Sequence, residues 1–144
     1  MEFMIVFPFM VLIFALLVQF GAIFWGYQSA VAGVRDAARY VARSSDVALC
    51  VAGGSIAGKS TLARGMIETD RAGNSVLPGN MTVSSVAVSH RCVTGSYRTS
   101  PMAIAEVRAV FTVQMPLGGL FGVFGNGLTA FQTTVTDEQR VIGQ

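Results

Sequence analysis

The sequence predicts an α+β fold: one long N-terminal helix, then a small domain with a short helix and an antiparallel sheet of about three strands. Three observations carry this. No charged residue lies between Phe3 and Val34, although 12% of the 144 residues are charged. Further along, three stretches alternate with the period of two that suits strands. Turn signals rich in Gly, Pro and Asn separate the elements, and no long helix lies between the strands to form a parallel crossover.

Residues 3–25, FMIVFPFMVLIFALLVQFGAIFW, contain one glutamine and one proline among apolar and small residues. At 1.5 Å per residue they span roughly 34 Å, enough for a hydrocarbon core of about 30 Å. A removed signal peptide would show a basic n-region, a shorter apolar run and an A-x-A site. This stretch shows none of them, so it reads as a single-pass anchor whose first partner is the lipid bilayer. Trp25 and Tyr27 stand where interfacial aromatics are expected. Helical character continues into GYQSAVAGVRDAARYVARSS, giving a helix of about 40 residues and a division into 1–44 (long helix) and 45–144 (small domain). Ala22, Gly26, Ala30, Gly33 and Ala37 recur at steps of three and four. That spacing puts small residues on one helix face, where another helix can approach closely.

About 100 residues remain for the domain, a size that is marginal without a staple or a supporting surface. VALCVA (47–52) is a short apolar run. Ser55 is placed to cap a helix over 56–72, with Gly73-Asn74 as its stop. Pro78-Gly79-Asn80 reads as a turn, and 81–89, 103–115 and 128–136 as strands. The middle strand alternates best: Val107, Ala109, Phe111 and Val113 line one face, and Ile104, Glu106 and Arg108 the other. Between the last two strands, PLGGLFGVFGNG (116–127) is too apolar for an ordinary solvated loop. Leu120, Phe121 and Phe124 are expected either to pack against the sheet or to touch lipid or a partner.

GGSIAGKST (53–61) satisfies the G-x-x-x-x-G-K-[ST] pattern of a phosphate-binding P-loop through Gly53, Gly58, Lys59 and Ser60. The wider context opposes it. A P-loop domain needs several βαβ units, whereas the 84 residues after Ser60 read as strands and turns. No apolar strand ends in an aspartate placed for Mg²⁺. The stretch is expected to be a glycine turn entering a helix.

Cys50 and Cys92 lie 42 positions apart. In an oxidising compartment the pair is expected to form a disulfide, the alternative being two separate buried thiols. A zinc site from Cys50, His90 and Cys92 lacks a fourth ligand and the usual spacing. His90 is the sole histidine and has no nucleophile motif beside it, and the acidic residues form no acid–base pair. The net charge is +2, from one lysine and nine arginines that are scattered rather than clustered. No footprint for nucleic acid results. Arg35, Arg39 and Arg43 make the only basic stripe, and it reads as a solvated or headgroup-facing helix edge. The expectation is a non-enzyme with no cofactor, no metal and no small-molecule substrate.

The N-terminal residues also carry a resemblance. Glu2-Phe3, Pro8, Gln19-Phe20-Gly21, Tyr27-Gln28 and Arg35-Asp36-Ala37-Ala38-Arg39-Tyr40 resemble the TadE-like family, pseudopilins or minor pilins of bacterial tight-adherence pilus systems. The resemblance covers about the first 43 residues. It implies a pilin-like fold, a single inner-membrane helix with a periplasmic domain, and a role in pilus assembly. The implied partners are other pilins or pseudopilins and inner-membrane assembly proteins. It also implies that Glu2 neutralises the terminal amine of a neighbouring subunit, with Pro8 and the small-residue stripe concerned with helix packing. The family pattern has a short charged leader and the glutamate at the fifth mature position, whereas here the glutamate stands at position two. Read alone, Arg35, Arg39 and Arg43 after the anchor would place that flank in the cytoplasm by the positive-inside rule. The resemblance places it outside.

Overall fold

The computed structural model describes residues 2–96, 100–115, 117–118 and 129–143. A single helix, α1 (Glu2–Arg43), runs unbroken for 42 residues, with Pro8 inside it. Proline is tolerated within apolar membrane-spanning helices. After it come α2 (Leu49–Ala52), a 3₁₀ turn (Ala57–Lys59) and α3 (Ser60–Glu68). Three long strands complete the chain: β1 (Met81–Val93), β2 (Met102–Gln114) and β3 (Ala130–Arg140). They form one antiparallel sheet in the order β1-β2-β3. The architecture is the α+β class that the sequence predicts.

The alternation of β2 becomes the two faces of the sheet. Ala103, Ala105, Val107, Ala109, Phe111 and Val113 are all buried. The C-terminal half of α1 crosses β2 and β3 on this face, and α3 packs against α1 and β1. Ala30, Ala37, Ala38 and Ala42 on the helix are as buried as the alanines of β2. Small residues on both sides let the helix axis sit close to the sheet. Val34 and Val41 fill the space between, with Phe111 the largest fully buried side chain. The core therefore straddles residue 44: the second half of α1 is a layer of the domain.

The second helix and the first strand differ from their sequence expectation. The helix expected over 56–72 is a 3₁₀ turn followed by α3, which stops at Glu68. Thr69 is extended, and the Asp70 carboxylate accepts hydrogen bonds from the backbone N–H groups of Ala72 and Asn74, both at 2.8 Å. A short polar side chain that captures nearby amides favours a turn over a helix interior. Gly73 has φ +85° within that turn. VALCVA, a short apolar run in sequence, has the helical turn α2 at its centre.

β1 is longer than 81–89 and carries a bulge. Val83 pairs with Phe111 and Ser85 with Val110, so Ser84 is the extra residue. The bulge flips the parity of the strand: Met81 and Val83 are buried before it, Val88 after it. Arg64 of α3 donates from Nη2 to the Val83 carbonyl at 2.9 Å, fastening the helix at this point. Cys92 accordingly lies inside β1, not beyond it, and is bonded to Cys50 of α2. This disulfide ties the segment after α1 to the sheet and leaves neither sulfur as a thiolate ligand.

Candidate assembly surface

The two halves of α1 differ because their surroundings do. The first half contains a window apolar and long enough to cross a membrane, and Phe3, Phe9, Phe14, Leu17 and Phe20 project outward uncovered. By length and composition this half is suited to cross a bilayer. Glu2 opens the helix, and its side chain, like residues Leu120, Phe121 and Phe124, lies outside the described residues. Pro8 sits in the uncovered part.

The small-residue stripe divides between two environments. Ala22 is exposed, whereas Gly26, Ala30, Gly33 and Ala37 turn toward the chain's own domain. A Cβ on Gly26 would stand 2.9 Å from Pro78 Cγ, and one on Gly33 would stand 3.3 Å from Ile67 Cα. Ala30 and Ala37 are fully buried. The close approach that the spacing encodes therefore has an intramolecular use from Gly26 onward. Sequence reasoning missed this because a small-residue face is the same whether its partner is a foreign helix or the chain's own α3 and sheet.

The opposite side of the same half-helix is open. Gln28, Ala32, Arg35, Asp36, Arg39 and Arg43 are exposed, and Arg39 and Asp36 form a loose ion pair at 3.8 Å. This ridge carries three guanidinium groups, one carboxylate and a small residue. It continues the line of Ala22 and Trp25 above the apolar span. A helix of complementary charge fits such a ridge by i, i+3 and i, i+4 matching.

The end of α1 is where the P-loop-like stretch is used. Lys59 Nζ donates to the Ser44 carbonyl at 2.6 Å, to Ser44 Oγ at 3.0 Å and to Ser45 Oγ at 2.9 Å. Ser45 Oγ itself donates to the Val41 carbonyl at 2.6 Å, and the backbone N–H of Ile142 donates to the Ala42 carbonyl at 3.2 Å. A helix C-terminus leaves carbonyls without intrahelical donors and has a partial negative charge, so an ammonium group is well placed there. Gly53 takes φ +66° as the cap of α2, and the residues before it are helical instead of a strand. The stretch is a helix cap, a turn and a lysine clasp on α1.

Where α1 meets the open end of the sheet there is an apolar groove of about 350 Å³, lined by Phe20, Ile23, Phe24, Val113 and Phe131 among others. The β2–β3 end of the sheet thus lies beside the upper apolar span. The outward sheet face is polar: Ser84 and Thr112 share a hydrogen bond of 2.6 Å, and Arg91 pairs with Glu138 at 2.6 Å.

No curated protein and no solved structure matches the chain. The family model described as TadE-like protein matches residues 1–39. The match covers the apolar anchor and most of the packed half of α1, and on that helix the chain is similar to the family that its N-terminal residues resemble.

Proposed function

We propose that the protein is a pilin-like, membrane-anchored subunit, a pseudopilin or minor pilin, that acts in assembly of a tight-adherence pilus. The observation that carries this reading is the form of α1: one continuous helix whose first half is bare and apolar and whose second half is built into a small sheet domain. A subunit of this shape can rest with its anchor in a bilayer and later pack that same anchor against neighbouring anchors. The reading assigns no catalytic step. It places the chain in the bacterial inner membrane with the domain on the periplasmic side. Other pilins or pseudopilins and the inner-membrane assembly proteins are its partners. The Ala22–Trp25 line and the Gln28–Arg43 ridge are the surface offered to a sister subunit, and Glu2 is the group that meets a neighbour's terminal amine.

A carboxylate within an apolar helix demands a partner in lipid. Glu2→Gln is therefore expected to abolish surface pili, counted by electron microscopy, while the protein remains in the membrane fraction. Undiminished pili would remove the role given to Glu2. A second reading is a membrane-anchored interaction or adhesion domain outside any pilus, which the polar outward sheet face would suit. Deleting the chain without loss of pili would favour it.

A further inference from the structure

The two edges of the sheet differ. On β1, Arg64 Nη2 takes the outward Val83 carbonyl at 2.9 Å, the bulge at Ser84 breaks the row, and the disulfide holds α2 beside Cys92. Bulges and covering elements are common means of closing a sheet edge. Among the described residues, β3 has neither. Its 11 residues keep one register against β2 and contain no proline and no lysine. Ala130 to Thr136 carry no charge. In β2 and just past its end, the Ala103 carbonyl accepts from the Val141 N–H and the Met115 N–H donates to the Thr129 carbonyl, so odd-numbered residues turn their backbone groups to β3. By the register, Phe131, Thr133, Val135, Asp137 and Gln139 face them. Ala130, Gln132, Thr134, Thr136 and Glu138 point their N–H and C=O groups the other way. All five are exposed, and on that side those groups meet no backbone partner among the described residues.

We propose that the free edge of β3 takes up an extended segment of a different polypeptide, which runs toward the membrane and extends the sheet by one antiparallel strand. Direction selects that occupant. Met81 and Phe131 share the groove with Phe20 and Phe24. At the far ends, Cys92 is bonded to Cys50 beyond the end of α1, and the Ile142 N–H donates to the Ala42 carbonyl. Both edge strands therefore ascend, away from the apolar half of α1, and only the central β2 descends. A second copy anchored in the same bilayer offers ascending edges alone, so it has no strand to pair antiparallel with β3. Its β1 edge is covered. A parallel β3–β3 pair would turn one domain over and set its α1-packed face beside its neighbour's polar one. Main-chain hydrogen bonds supply the affinity of strand addition, and alternate side chains choose the partner. On the outward face, Gln132, Thr134 and Thr136 suit polar neighbours. On the inner face, the descending segment passes Asp137, then Val135 and Phe131, which fits a basic or amide side chain followed by apolar ones. The inference rests on the membrane anchor of the reading above and not on its pilus.

Photoreactive p-benzoylphenylalanine placed in turn at Gln132, Thr134 and Thr136 of the full chain, in the cells that naturally make it, tests this. Links to one peptide of a different polypeptide are expected by mass spectrometry. The linked residue should step back by two each time the probe steps forward by two. Links to a second copy of this chain, the opposite order, scattered sites or no links would overturn the proposal. Thr134→Pro removes one outward N–H and spares the ladder to β2, a substitution that an edge strand tolerates. It is expected to cut the links from positions 132 and 136 by about tenfold, and undiminished links from a membrane-bound chain would overturn main-chain pairing. The unaltered chain, purified in detergent, gives a reading independent of any variant's folding. By NMR, the amides of Gln132, Thr134 and Thr136 are expected to exchange about 100-fold faster than those of Thr133 and Val135. Equal protection would overturn the open edge. Pili are counted separately in cells lacking the chain. Pili lost there, with no links at the edge, would overturn the strand addition alone; links with pili retained would support it and overturn the pilus reading alone.

Discussion

Two side chains show how far a residue's neighbours decide its meaning. Lys59 completes a phosphate-binding pattern in sequence, yet its ammonium donates to Ser44 and Ser45 at the end of α1. Lys59→Ala removes a charged donor from that end and is expected to lower stability by about 1 kcal/mol, read from thermal unfolding in detergent. Millimolar Mg-ATP is expected to leave the wild-type midpoint unmoved. A rise would mean that nucleotide binds the folded chain and that the lysine leaves the helix end for phosphate. Asp70 behaves differently. The Asn74 backbone and side-chain donors, helped by the Ala72 and Gly73 backbone, hold its carboxyl below its ordinary 3.8, against an opposing effect of desolvation. A depressed folded value means that the carboxylate's contribution is present above the unfolded value and disappears as pH falls through the folded one. The turn should therefore stay closed down to pH 3.8 and loosen only below it. A carboxyl-carbon titration of Asp70 with its midpoint under 3.8, moved upward by Asn74→Ala, is the expected result.

At the scale of elements, α1 shows how one residue type serves two environments. A Cβ at Gly21 would meet nothing within 4 Å, whereas one at Gly33 would press on the backbone of Ile67 in α3. Gly21→Ala is expected to raise stability by up to about 1 kcal/mol through helix propensity. Gly33→Leu is expected to lower it by about 1–3 kcal/mol, as overpacking pushes α3 from α1. Chemical denaturation in one detergent tests both, and equal effects would mean that Gly33 faces outward. The same contrast marks what was legible in the sequence. The length of α1 and the two faces of β2 follow from composition and periodicity, because burial of alternate residues leaves its trace in side-chain type. The bulge in β1 blurred that trace: Ser84 and Ser85 oppose one residue, and the alternation before and after them cannot be joined. α3 was expected four residues too long because Asp70 and Thr69 suit a helix well enough by composition, while their hydrogen bonds to Asn74, Ala72 and Gly65 favour the turn. The stripe of Gly26, Ala30, Gly33 and Ala37 was visible, but its partner was not, since a face records closeness and not identity.

For the whole molecule, the question is how about 100 residues beyond α1 hold a single sheet with a polar outer face. The answer is a layer borrowed from the anchor and a covalent tie. Ala30, Val34, Ala37 and Val41 provide a buried helix face that the domain otherwise lacks, and Cys50–Cys92 joins α2 to β1 across 42 residues. By the chain-entropy model a loop of that length contributes about 4 kcal/mol, a large part of the 5–15 kcal/mol typical of a domain. Reduction is expected to lower the unfolding free energy by an amount of that order, and Cys50→Ala with Cys92→Ala should match it. The tie also makes compartment and stability one question, because disulfides persist in the periplasm and are rare in the cytoplasm. In intact cells, the two cysteines are expected to resist thiol labelling until a reductant is added, as read by mass spectrometry of their peptides. Two free thiols that react only with a membrane-permeant reagent would place the domain in the cytoplasm, where Arg35, Arg39 and Arg43 alone would put it. The domain would then have to stand without its staple, and the periplasmic reading of the anchor would fall with it.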